Sequence, residues 1–105
     1  MEFRQVIRER ASQQILFLPH AVRQMSRPDR MISTADVRKA IEEGEIVEDY
    51  REDARGHSCL ILGRARDGRP IHIVCTPKDE YLAVITAYIP DKAQWSRDFR
   101  TRIRP

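Results

Sequence analysis

Three histidines, three tyrosines and an arginine-rich set of bases are the groups with which this chain could do chemistry. Metal-independent cleavage of RNA asks for such groups: a base for the ribose 2′-OH, an acid for the departing 5′-oxygen and a cation beside the phosphorane. An imidazole suits either proton role near neutral pH. His20 and Arg23 are three residues apart, so on a helix they share a face and can reach one phosphate together. A capping role at the helix start is the alternative for His20. His72 lies between Ile71 and Ile73 on an expected strand, either over a pocket or as a half-buried, satisfied histidine. His57 follows a loop and reads as ordinary.

Tyr88 is a candidate to stack a base or to position a nucleotide. Arg64, Arg66, His72, Thr86, Arg97 and Arg100 complete the expected nucleic-acid surface. Of the 19 basic residues only Lys39, Lys78 and Lys92 are lysine. Arginine forks phosphates bidentately and stacks on bases, which points to RNA or an anionic protein. A solvated arginine-rich surface is the bland alternative. The net charge of +3 is carried by residues 91–105, while Glu42, Glu43, Glu45, Glu48, Asp49, Glu52 and Asp53 form an acidic stretch. No GxGxxG, P-loop, HExxH, nucleophile elbow or CxxC occurs, and no metal or other cofactor is implied.

The elements that must position these groups follow from periodicity. Phe3, Val6, Ile7 and Arg10 have helical spacing, giving a helix over 2–13. Ile15 to Leu18 is a short apolar segment stopped by Pro19, which opens a second helix over 19–26. Ser33 to Asp36 reads as a capping box for a helix over 33–43, closed by Gly44. A strand over 45–50 follows, with Ile46 and Tyr50 on one side. Strands over 58–66, 69–76 and 81–89 then form a meander.

Asp67-Gly68 is the strongest hairpin signal. As a two-residue turn it sets Cys59 opposite Thr76 and Cys75 opposite Leu60, so the thiols leave opposite faces. The same register puts His72 opposite Gly63, and Arg64 on the other face with Leu60 and Leu62. Thr86 and Tyr88 join either the His72 face or the Arg64 face, depending on the loop at 77–80. Asp91 is expected to cap a short C-terminal helix whose Trp95 and Phe99 lie one turn apart and pack back onto the body, ahead of a mobile basic tail.

The whole reads as a single domain over 1–105 of the α+β class: two or three N-terminal helices on a four-stranded antiparallel sheet. No apolar run approaches the roughly 20 residues of a membrane span. The charged N-terminus lacks a signal-peptide core, so a cytoplasmic location is expected, with both cysteines as free thiols.

Several landmarks carry a resemblance. They are His20-Ala21 with Arg23, Ile32–Val37, Gly44–Tyr50, Cys59–Gly63, Gly68–Val74, Ile85–Pro90 and then Trp95. In order and spacing, over about 15–95, the chain resembles the bacterial family named domain of unknown function 4258. Members of that family often accompany a small zinc-finger or helix-turn-helix protein. The resemblance therefore implies an antitoxin as partner, and more distantly a RelE-, ParE- or MqsR-like toxin with a barnase-like fold. That group includes RNA-cleaving enzymes and gyrase inhibitors. One departure is local: Gln24–Arg30 carries Pro28 where the family has a compact run, which leaves the end of the second helix open. The expectation is a type II toxin-like endoribonuclease using His20, Arg23 and Tyr88. The alternatives are a non-catalytic protein- or nucleic-acid-binding module, or a ParE-like inhibitor.

Overall fold

The apolar stripe of the first helix commits one side of it to burial, and Ile7 is fully enclosed there. A computed structural model describes residues 2–103 of the chain. Helix α1 (Phe3–Gln13) leads into strand β1 (Ile15–Phe17) and helix α2 (Pro19–Met25), which has Pro19 in its first turn. Helix α3 (Thr34–Glu43) has the expected capping box, with Asp36 N–H donating to Ser33 Oγ and Ser33 N–H to Asp36 Oδ2, each at 3.0 Å. Strands β2 (Glu45–Tyr50), β3 (Ser58–Arg64), β4 (Pro70–Pro77) and β5 (Leu82–Tyr88) follow.

The sheet has five strands in the order β1-β5-β4-β3-β2, and it is mixed rather than purely antiparallel. The expected four-stranded sheet omitted β1, which pairs parallel to β5 from Ile15↔Leu82 to Phe17↔Val84. A three-residue strand carries too little alternation to announce itself. It becomes a strand because β5 offers it a free edge.

Helices cover one face of the sheet, where Ile7, Val37, Ala40 and Ile41 meet Ile61, Ile71, Ile73 and Val84. The C-terminal segment covers part of the other, with Trp95 and Phe99 on Leu60 and Leu62. That segment is not the expected helix. Asp91 instead closes a turn, accepting from Ala93 N–H at 2.8 Å. The chain then doubles back, with Trp95 bridged to Arg102. Thr101–Ile103 of the expected mobile tail is thus tied to the body, and residues 104 and 105 lie outside the described range.

The β3–β4 hairpin differs from the expected register by one residue. Ala65 N–H donates to Arg69 O at 2.8 Å and Gly68 N–H to Ala65 O at 2.9 Å, so three residues form the loop. Gly68 has φ +92°, the left-handed position that such a loop needs. A one-residue slip exchanges the faces of every side chain on a strand. Cys59 consequently faces Cys75, and His72 faces Leu62. Gly63 leaves no space over His72. It lies under α3, where an added Cβ would stand 2.4 Å from the Ala40 Cβ. The expected sharing of a side by Ile46 and Tyr50 fails too, because a bulge at Val47 shifts the β2 register.

Candidate functional site

With the register corrected, Leu60, Leu62 and Arg64 share the face of His72 and Val74, and β5 adds Thr86 and Tyr88 to it. Arg64 and His72 are therefore on one face, not two, and the last strand joins both. Tyr88 is directly opposite His72.

His72 is fully buried. Its ring stands edge-on to Trp95, with centroids 4.4 Å apart. Nε2 is 2.9 Å from the Phe99 carbonyl and Nδ1 is 3.3 Å from the Tyr88 hydroxyl. A carbonyl only accepts, so Nε2 carries the proton and Nδ1 of the neutral ring accepts from Tyr88. Burial pushes the His72 pKa down, against the opposing pull of the Phe99 carbonyl. Burial likewise pushes the Tyr88 pKa up. Both groups therefore rest neutral. His72, expected on the nucleic-acid surface, is sealed beneath the C-terminal segment.

That segment is clamped by Arg102, which donates from Nε to Glu48 Oε2 at 2.9 Å and lies 4.7 Å over the Trp95 ring. Tyr50 donates to the same Glu48. Burial and that bond to Glu48 hold the Tyr50 hydroxyl up at about 12. Glu48 and Arg102 were not singled out by sequence, because residues 54 apart give no local signal.

The other histidines part company. His57 Nε2 meets Asp49 Oδ1 at 2.5 Å, and its ring stacks on Phe3 with centroids 3.6 Å apart. His20 is exposed in the first turn of α2, as is Arg23 on the same helix. No side-chain hydrogen bond ties either to another of the described residues. Ala21 and Met25 anchor that helix in the core.

One turn after His20, Gln24 Oε1 accepts from Arg30 Nη1 at 2.7 Å. Burial raises the Tyr88 pKa, and the charges of Arg102 and, more weakly, Arg30 oppose it. Helical spacing puts His20 on the Gln24 side of α2. Helix α2, which carries His20 and Arg23 and holds Arg30 through Gln24, packs on β5, the strand that ends at Tyr88. Arg30 escaped the sequence reading because only the turn at 27–30 carries it back toward the sheet.

The remaining arginines are scattered. Arg66 is held at the hairpin by Asp36, through its backbone N–H at 2.9 Å and its Nε at 3.2 Å. Burial opposes ionisation of Asp36, but the bonds from Arg66 and Ser33 hold its carboxyl well below the usual carboxylate range. Arg64 and Arg100 do come together, with Lys39, around a cleft of about 470 Å³. Its charge is largely cancelled there. Lys39 pairs with Glu43 at 3.1 Å, and Arg100 pairs with Glu45 and Asp98. Arg97 is exposed and Thr86 half-buried.

Among the described residues no three His, Cys, Asp or Glu side chains gather as metal ligands. No helix among them is long and apolar enough to cross a membrane.

The domain is thus a helix-backed mixed sheet with an aromatic-sealed histidine and a polar rim. The model of the family described as Domain of unknown function (DUF4258) matches residues 17–89, and the chain belongs to that family. The matched span runs from the end of β1 to the residue after β5, leaving out α1 and the clamp at 95–102. No curated protein and no solved structure matches the chain.

Proposed function

We propose that this domain acts on RNA in the manner of a type II toxin, by general acid–base cleavage at the α2–β5 rim. One observation carries the reading. Of the three imidazoles only His20 is both exposed and, among the described residues, without a side-chain hydrogen bond, and it shares its short helix with Arg23 and with Gln24, which accepts from Arg30. In this reading His20 takes the 2′-OH proton, and the resulting oxyanion attacks phosphorus. The 5′-oxygen leaves and takes up a proton. Arg23 and Arg30 hold the phosphate charge, and Tyr88 positions the nucleotide. A protein antitoxin of the zinc-finger or helix-turn-helix kind is the expected partner, meeting either the acidic 42–53 stretch or the basic segment near Arg97 and Arg100.

Incubation of the purified chain with total cellular RNA tests this. The wild type should yield discrete fragments, and His20→Ala should lower the rate by about 100-fold or more with its thermal unfolding unchanged. Intact RNA with the wild type, and no growth arrest on expression, would overturn it.

A non-catalytic binding module is the second reading. The closure of His72 and the pairing of Arg66 and Arg100 with carboxylates favour it. It expects RNA binding that weakens steeply with salt, without any cut strand.

A further inference from the structure

Cys59 and Cys75 are both free, both fully buried, and directly opposite each other on β3 and β4. Counting by twos from the Ala65–Arg69 bond makes theirs a hydrogen-bonded pair of positions, whose Cα atoms stand about 5.5 Å apart. A disulfide spans roughly 4.4–6.8 Å between Cα atoms, so the backbone already has the required separation. Apolar pairs of many kinds would fill that place, and two sulfurs facing each other are not needed for packing.

A second observation concerns what covers them. Arg4, on the first turn of α1, is 9% exposed and close enough for its charge to act on both sulfurs. Its Nη2 donates to the carbonyls of Ile41 and of Gly44, the latter at 2.8 Å. Its Nε and Nη1 are buried with no hydrogen-bond partner among the described residues. Burying unpaired donors costs free energy. An anionic sulfur or a sulfenic oxygen beside them would satisfy what the resting state leaves open.

We propose that Cys59 and Cys75 form a redox modification site, a cross-strand dithiol that hydrogen peroxide converts reversibly to a disulfide beneath α1. The Cys59 thiolate attacks one peroxide oxygen and the O–O bond breaks. This leaves a sulfenic acid and a hydroxide, which leaves as water with the proton that Cys59 released. Cys75 then attacks the Cys59 sulfur, the S–S bond forms, and the sulfenic oxygen departs as a second water with the Cys75 proton. Two electrons pass from the dithiol to the peroxide. Cys59 attacks first because the facing Cys59 and burial push the Cys75 thiol up. Fraying of the first turn of α1, where Arg4 is incompletely satisfied, admits the oxidant. The site is independent of the RNA reading.

The test treats the full native chain with hydrogen peroxide, blocks remaining thiols with a maleimide in denaturant, and reads the intact mass and peptide map. The proposal expects a mass lower by two hydrogens, no maleimide uptake, a Cys59–Cys75 linked peptide, and reversal by dithiothreitol. In Cys75→Ser, dimedone should trap a sulfenic acid at Cys59. Two maleimide-reactive thiols remaining in the native chain, at a dose that oxidises the urea-unfolded chain, would overturn it. Cross-links found only between separate chains would do the same.

Discussion

The Tyr88 hydroxyl donates to His72 Nδ1 across 3.3 Å, and the opposite ring nitrogen is spent on the Phe99 carbonyl. The pair joins the open rim of β5 to the closed interior in a single step. It also makes a prediction about acid. The folded-state pKa of His72 is lowered, chiefly by burial, whereas the unfolded chain titrates near 6.5. Below that value the unfolded state binds more protons than the folded state, so stability falls as pH falls. Urea unfolding followed by Trp95 emission should show this loss setting in below about pH 6.5, and His72→Phe should be flatter there. Equal losses in both proteins would place the acid sensitivity elsewhere.

Arg102 holds the C-terminal segment down through Glu48 and the Trp95 face. Its side chain is 60% exposed, so solvent screens the ion pair and most of the effect is local. Arg102→Ala should cost about 0.5–1 kcal/mol. The emission of Trp95, the single tryptophan, should shift to the red. An unshifted spectrum would show that Trp95 and Phe99 hold the segment without the clamp.

Asp36 serves two elements at once, capping α3 through Ser33 and fixing the hairpin through Arg66. Asp36→Ala should cost about 1–3 kcal/mol, a cap and a charge-assisted bond together. The lowered Asp36 pKa adds a pH signature. Its contribution is present above the unfolded value near 3.9 and is lost as pH falls through the lower folded value. Thermal unfolding of wild type and variant should therefore converge in strong acid and separate above pH 4.

Gly63 passes beneath α3, with an added Cβ meeting the Ala40 Cα at 2.7 Å as well as its Cβ. The obstacle is helix backbone, which cannot rotate aside. Gly63→Ala should cost about 2 kcal/mol or more by overpacking. Gly68→Ala, which meets no atom within 4 Å, should show only the milder penalty of a positive φ. Denaturant midpoints for the two variants check the order.

The parts of the fold legible in the sequence are those built from near neighbours. The Ser33–Asp36 box and the β2 span depend on residues within a few positions of each other, and both stand as read. Asp67-Gly68 marked a turn correctly, yet two loop lengths satisfy the same dipeptide. The choice between them decided the partners of His72, Cys59 and Gly63. At the candidate site, His20 and Arg23 were visible because their spacing is helical. Arg30, Glu48 and Arg102 acquire meaning only through contacts made across the fold. Trp95 and Phe99 were expected to pack on the body and do so, although from a doubled-back strap rather than a helix.

The parallel pairing of Ile15–Phe17 with Leu82–Val84 bears on how the molecule is made. A ribosome delivers the first of these segments long before the second, so the outermost strand must wait for almost the whole chain. Shortened nascent chains ending before residue 82 would leave that early segment without its mate, while the β3–β4 hairpin could already be closed.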